Sequence, residues 1–514
     1  GGTMGATTTH PQWLKFSPLW EKMLDCFQGA DHIKSLGTKY LPATASMEYD
    51  GMGAGEDGRK RYDAYLQRAK FPEYVNDAVL QHGGTLHRKP AVIVLPEAME
   101  PLRKRITSKG EGLDQLLRRI NELQLRDGRL GLLVDLPQGE TRGTLPYVAV
   151  YEALAIRNWD DGDDTLGHKA LNFVRLDESK YVMDHASKDW HWKIIYRDLL
   201  LGAVEKDEQE NAGAKYHQEL REVVGTDDAA QESVIAEVIP MYNGKAMEAI
   251  PFVFCNAMDL VAEPDRPPLL TLANQAISIY QGEADYRQAL FMQGQDTLIV
   301  KGGILNTNQV DDKAPVRVGA GARIDVTQEG DAKYIGVNSQ GLPEQRKALE
   351  ADHKDAQARS GSLTSAESAS QESGDALRIR TTTKTASLVG IAITGAAALE
   401  QVLRYIAEWM GLDPNEVTVA PNIDFSKTMM IGQDFVQVMT AKNLGAPISA
   451  ESVHNWLADN SMTTLSFEDE MKRIQEENDK YKDLLQPVQK PDQNQLQQTS
   501  NGDTGKTSTT PPKQ

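Results

Sequence analysis

Cysteine is almost absent: the 514 residues include two, Cys26 and Cys255, and neither has a second cysteine at metal-ligand spacing. That argues against a disulfide framework and a cysteine zinc site. Long hydrophobic runs are missing too. The longest near-continuous one, Leu388 to Leu399, contains two glycines and a threonine and stops short of the roughly 18 residues a membrane-spanning helix needs. No succession of charged, apolar and small residues of the signal-peptide kind stands near residue 1, so synthesis in the cytoplasm is expected, with no membrane partner. Positive charge is scarce as well, with 55 Lys+Arg against 74 Asp+Glu and a net charge of −19. Gripping nucleic acid by neutralising phosphates needs clustered Lys and Arg, so tight DNA binding is not expected. An acidic surface does suit a passage along which a polyanion must slide without sticking.

Catalytic motifs are also lacking. There is no Gly-x-Ser-x-Gly nucleophile elbow and no Gly-x-x-x-x-Gly-Lys phosphate loop, which excludes an ATP-driven motor. Gly53, Gly55 and Gly58 spell a dinucleotide-binding pattern with Asp77 downstream, but Pro42 to Asp50 is no apolar strand, so the pattern reads as a loop. Asp160, Asp161, Asp163 and Asp164 surround Gly162 without EF-hand spacing and read as a solvated turn. His82, His87, His185 and His191 lack the four-residue spacing of helical zinc ligands. No catalytic residue, cofactor or metal site is expected, and the chain does not read as an enzyme.

What is present is an α+β pattern long enough for several cores, with 40% hydrophobic residues. Residues 1–11 and 486–514 read as flexible tails, the latter rich in Gln, Thr, Ser and Pro. Leu113 to Leu125 has helical apolar spacing. Leu130 to Leu136, Tyr147 to Tyr151, Asn172 to Leu176, Lys193 to Tyr196 and Ile250 to Phe254 read as strands of one antiparallel sheet. A helix is expected beyond Asp265, with Pro267 and Pro268 in its first turn, reaching Phe291 on a stripe of Leu269, Leu272, Ala276, Ile279, Tyr286 and Leu290.

A Gly-rich β module follows, through Leu298 to Val300, Val316, Val318, Ile324, Val326 and Ile335. A more polar helix then runs from Pro343 to Arg359. Ser360 to Ser373 holds six serines, the acids Glu367 and Glu372 and no base, a gap longer than an ordinary loop. The longest helix is expected from Gly374 to Met410, with a stop at Gly411 and Pro414. Its face, Leu388 to Met410, looks broader than one chain can cover, which predicts a closed ring of subunits. A strand at Val417 to Ala420 and helices at Gln433 to Lys442, Ser449 to Ala458 and Ser466 to Leu484 complete the chain.

Several stretches, in order, resemble the portal proteins of tailed bacteriophages. They are Tyr62 to Arg68 with Phe71, Gly84 to Pro90, Gly131 to Pro137, Pro146 to Trp159, Ile250 to Phe254, Pro267 to Leu270, Ala284-Asp285-Tyr286, Glu344 to Glu350 and Ala407 to Leu412. The resemblance implies a portal-type fold: a mixed α/β wing at 12–264 with 374–424 (spine helix and return strand), and a stem of two helices at 265–292 and 340–359. It also implies a small β clip at 293–339, a tunnel loop at 360–373 and a helical crown at 425–485. The loop residues facing DNA are then Ser360, Ser362, Ser365, Glu367, Ser368, Ser370, Glu372 and Ser373, and the stem candidates are Arg346, Lys347, Lys354 and Arg359. The implied assembly is a dodecameric ring at one capsid vertex of the virion. Its implied partners are double-stranded DNA, terminase, a head-tail adaptor and capsid protein. The alternatives are another phage structural component (an adaptor, scaffold or tail protein) or an enzyme of unrecognised site.

Overall fold

A computed structural model describes residues 8–137, 144–162, 171–202, 215–225, 230–293, 297–301, 328–335, 341–360, 374–423, 425, 432–459 and 463–481. The chain divides into two compact units, Gly1–Phe425 and Ser426–Gln514. The first opens with five helices: α1 (Pro11–Gln28), α2 (Ala30–Ser35), α3 (Ala45–Tyr49), α4 (Asp57–Arg68) and α5 (Tyr74–Leu86). Strand β1 (Val92–Val94), helix α6 (Leu113–Asp127) and strands β2 (Arg129–Asp135), β3 (Tyr147–Glu152), β4 (Ile156–Asp160) and β5 (Phe173–Asp177) follow. Next come β6 (Lys180–Met183), β7 (Trp190–Gly202), β8 (Lys215–Val224), β9 (Gln231–Val238), the short pair β10 (Met241–Tyr242) and β11 (Lys245–Ala246), and β12 (Phe252–Asn256).

Strand β2 is the centre of the larger core. It pairs antiparallel with β12 and β3 in a three-stranded sheet. All seven of its residues are buried, because α6 and the later helix α9 (Gly374–Trp409) cover one face and the second sheet packs on the other. A strand covered on both faces needs a continuous apolar run, not an alternation, and Leu130 to Val134 supplies it. Helix α6 forms on its Leu113, Leu116, Leu117, Ile120 and Leu123 spacing. It ends at Gly128, whose φ of 69° closes the helix in the left-handed region.

The single sheet expected from sequence is two. Ile250 to Phe254 belongs with β2 and β3, whereas Asn172 to Leu176 and Lys193 to Tyr196 fall in a six-stranded sheet of order β4-β5-β7-β8-β9, with β6 on β7. Sequence periodicity misses the length of β7, β8 and β9 because one face of that sheet is charged. Arg175 on β5 and Asp198 on β7 are buried together at 2.7 Å.

Helix α7 (Leu270–Gln293) starts later than expected. Pro267 and Pro268 precede it in a turn closed by Leu270 N–H on the Pro267 carbonyl at 3.2 Å. A proline disfavours helical backbone in the residue before it, so Pro268 keeps Pro267 out of the helix. Tyr280 and Ile279 of α7 sit in a second core with Met23 and Cys26 of α1, Tyr62 and Tyr65 of α4, and Val75 of α5. Strands β13 (Thr297–Lys301) and β14 (Asp331–Ile335) pair antiparallel, and α8 (Leu342–Arg359) follows. Val316, Val318, Ile324 and Val326 lie outside the described residues.

Helix α9 corrects two expectations. The stretch Leu388–Trp409 is long and apolar enough to cross a membrane by length and composition, yet more than half of it is buried in this chain. Leu399, Val402, Leu403 and Ile406 pack in the same core as Ile120, Leu132 and Phe254. Each such burial contributes about 2 kcal/mol on area grounds. The broad face that sequence left for neighbouring subunits is therefore covered by the chain's own α6, β2 and β12. The helix stops at Gly411, with φ 75°, and β15 (Thr418–Ala420) pairs with β1.

The second unit contains α10 (Gly432–Asn443), α11 (Ala450–Asp459) and α12 (Phe467–Tyr481). Ser449 Oγ accepts the Ser452 N–H at 2.9 Å and Ser466 Oγ the Asp469 N–H at 3.2 Å, capping α11 and α12. His454 and Phe467 join the two helices with ring centroids 5.5 Å apart. Residues 486–514 lie outside the described residues.

Candidate functional site

Helices α7 and α8 pack antiparallel, with the β13–β14 hairpin in the sequence between them. Their contacts run in opposite directions along the two helices. Gln275 Nε2 donates to Asp355 Oδ2 at 2.8 Å, and a Cβ built on Gly282 would come 3.0 Å from Leu349 Cδ2. Glycine at 282 leaves room for the Leu349 side chain. Leu349 and Ala356 are the buried residues of α8 and face this contact.

A polar chain fixes the pair to the rest of the unit. Tyr74 Oη on α5 lies 2.6 Å from His353 Nδ1, His353 Nε2 lies 3.2 Å from Glu283 Oε1, and Glu283 holds Arg287 at 2.9 Å. Burial raises the Tyr74 phenol above its ordinary value. Tyr65 Oη donates to Asp285 at 2.6 Å and Arg68 to Gln288 at 2.6 Å. Sequence reading misses this chain because its members come from residues 74, 283 and 353, a separation no local spacing reveals.

All four stem candidates are exposed on α8. Three are paired within the helix: Arg346 with Glu350 at 2.8 Å, Lys347 with Glu344 at 2.9 Å and Arg359 with Asp355 at 3.0 Å. The hydrogen bond that Arg346 donates to Glu350 raises the guanidinium further above its ordinary value, and hydrogen bonds from Arg359 and Gln275 lower the Asp355 carboxyl. Lys347 and Lys354, seven residues apart, share one face, while Arg346 and Arg359 project elsewhere. The helix carries Glu344, Glu350, Asp352 and Asp355 against Arg346, Lys347, Lys354 and Arg359, so its fixed charges cancel.

Ser360 departs from the loop reading. It is 5% exposed and closes α8, with its Oγ donating to the Gln357 carbonyl at 2.8 Å. Its buried position comes from packing at the helix end, against His82, whose imidazole burial holds below its ordinary pKa. Ser362, Ser365, Glu367, Ser368, Ser370, Glu372 and Ser373 lie outside the described residues.

A Cβ at Gly58 would fall 1.9 Å from the Met47 carbonyl oxygen, so that glycine serves the packing of α3 on α4, and Gly53 N–H binds Glu56 at 2.6 Å. Asp160 accepts the Gly162 N–H at 3.0 Å, as a turn residue does, while Asp163 and Asp164 lie outside the described residues. His87 lies 3.0 Å from Asn121, lowered by burial, and His185 and His191 are exposed. What α7 and α8 present together is an antiparallel helical pair, α8 balanced in charge and α7 carrying Glu283 and Asp285 against Arg287, with the β13–β14 pair between them in sequence.

Comparison with known proteins places one match on this region. A family model described as a domain of unknown function (DUF4055) matches residues 268–410, from the turn before α7 to the end of α9. No curated protein matches the chain. Among solved structures the chain is similar to one in the neck of a native GTA particle computed with C12 symmetry. The two are 10% identical with a TM-score of 0.36, over 75% of this chain and 89% of that one.

Proposed function

We propose that the chain is one subunit of a phage portal, a dodecameric ring at a capsid vertex of the virion through which genomic DNA enters and leaves. The observation that carries this reading is the succession of α7, a β hairpin, an antiparallel α8 and then the 36-residue α9, in the order the sequence resemblance implies. In it α7 and α8 are the stem, the segment holding β13 and β14 the clip, residues 361–373 the tunnel loop, α9 the spine and α10 to α12 the crown. Terminase and a head-tail adaptor dock on the ring, capsid protein surrounds it, and the chain has no catalysis of its own.

The net charge of −19 and the self-cancelling charges of α8 fit a wall past which DNA slides. The reading is tested by measuring the mass and symmetry of the purified full chain. A flared ring of twelve subunits with an axial hole is expected. Monomers and dimers at every salt concentration, or a ring without the flared body, would overturn it, the second pointing to an adaptor.

A further inference from the structure

Strand β8 leaves β7 at Ile194, paired with Val223, and beyond that point Lys180 to Met183 of β6 and Trp190 to Lys193 of β7 continue as a two-stranded ribbon. Tyr181 lies opposite Trp192 and Met183 opposite Trp190, so the four share one face. Tyr181 is 63% exposed, Trp190 62% and Trp192 55%, and the Tyr181 and Trp192 rings meet edge to face with centroids 4.9 Å apart. Single exposed apolar residues are ordinary, but three aromatics side by side mark a contact surface.

The ribbon is shaped in advance. Asp184 N–H donates to the Asp189 carbonyl at 2.8 Å and Lys188 N–H to the Asp184 carbonyl at 2.7 Å, with Lys188 in the left-handed region at φ 64°. A preformed surface loses little entropy on docking. An aromatic side chain can bury about 150–250 Å², so these three supply roughly half of the about 800 Å² per partner that a stable interface needs. Charge points to the partner. Residues 180–193 carry three lysines against two aspartates, on a chain whose net charge is −19. Lys193 is held by Glu222 at 3.1 Å, whereas Lys188, at the turn, forms no salt bridge among the described residues.

The same chain carries a surface of complementary chemistry. Between β12 and α7 the side chains of Met258 and Val261 are exposed, as is Ile393 on α9. A Cβ on Gly390, one turn before Ile393, would come 3.4 Å from Met258 Sδ, which brings α9 and this segment together in one apolar patch. Asp259, Glu263 and Asp265 belong to the same segment and form no salt bridge among the described residues. We propose that the face of Tyr181, Trp190 and Trp192 docks on the patch of Met258, Val261 and Ile393 in a second copy of this chain, with Lys188 against the Glu263 side of that patch. Ribbon and patch are different surfaces, so the contact is head-to-tail and repeats from copy to copy until a ring closes. An apolar centre rimmed by opposite charges is how specific interfaces are made. The inference rests on the ring reading and names a surface that holds the ring together.

The test compares particle masses of the full chain and its variants at micromolar concentration. Trp190→Ser combined with Trp192→Ser should weaken association about tenfold or more. Its circular dichroism should match the parent's, since both side chains are exposed. Lys188→Glu and Glu263→Lys should each, alone, give smaller species. Mixed in equal amounts, these two variants should regain the parental mass, because each then meets the opposite charge on its neighbour. A tryptophan variant of parental mass, a charge variant of parental mass, or a mixture no larger than its components would overturn this inference and leave the ring reading standing. A parent that forms no ring would overturn both.

Discussion

Asp25 shows how a single side chain ties the helical end of the first unit together. Only 6% exposed on α1, it accepts hydrogen bonds from Tyr40 Oη at 2.6 Å and Lys39 Nζ at 2.8 Å, and lies 2.9 Å from His32 Nε2. Burial works against its charge, but the hydrogen bonds from Lys39, Tyr40 and His32 prevail and hold the carboxyl below its ordinary value. A carboxylate depressed in the folded state stabilises it fully above the unfolded value, and that stabilisation is lost as pH falls through the folded one. Asp25→Asn should therefore lower stability by about 2 kcal/mol at pH 7. The gap to the parent should stay constant down to about pH 5 and shrink below about pH 4. Denaturant melts at pH 7, 5 and 3 check this, and a gap that widened in acid would contradict it. Nothing near Asp25 in the sequence announces this role, because spacing does not show which side chains a fold will turn inward. The glycines at 53, 55 and 58 were visible, but the use of Gly58 in packing α3 against α4 was not.

At the scale of elements, the contact of α6 with α9 turns on one residue. A Cβ at Gly395 would stand 2.3 Å from Asn121 Oδ1 and 2.6 Å from Gln124 Oε1. Neither side chain is free to retreat, since Asn121 is bonded to His87 at 3.0 Å and Gln124 to the Asn256 carbonyl at 3.0 Å. Gly395→Ala gains about 1 kcal/mol of helix propensity. Displacing a buried hydrogen-bonded amide costs about 1–3 kcal/mol, and the crowding adds a similar amount. The loss prevails, so the variant should melt lower by calorimetry; an increase would show that α9 shifts freely.

Helices α7 to α12 were legible because a 3.6-residue apolar period survives wherever one face meets a core. The six-stranded sheet was not. Its charged face, with Arg175, Asp198, Glu219 and Arg221, breaks the alternation that marks a strand, and Trp190 and Trp192 stand exposed at the start of β7. Of the candidate site, the basic residues of α8 could be found from sequence. Their neutralisation by acids three and four residues away follows from helical spacing once the helix is granted.

For the whole molecule, the burial of α9 moves the question of assembly to other surfaces. The last turn of α7 exposes Leu290, Phe291 and Met292, at 42%, 44% and 56%, and Ile299 on β13 is 45% exposed. In the proposed ring this turn meets a neighbouring subunit. Met292→Glu should leave unfolding of the chain within about 0.5 kcal/mol of the parent, as exposed substitutions do. It should shift the particle mass, measured at micromolar concentration, toward smaller species. An unaltered mass would place the subunit contact elsewhere.

The ion pairs along α8 also bear on motion. In the proposed portal, Arg346, Lys347 and Arg359, each engaged by an acid of its own helix, present a passing phosphate with dipoles of alternating sign, and Lys354 is the one base of α8 without an ion pair among the described residues. If the portal proposal holds, resistance along such a helix is mostly friction, with little adhesion. It scales with the viscosity of the confined water and the speed of the duplex, vanishes when movement stops, and leaves a stalled genome free to reverse.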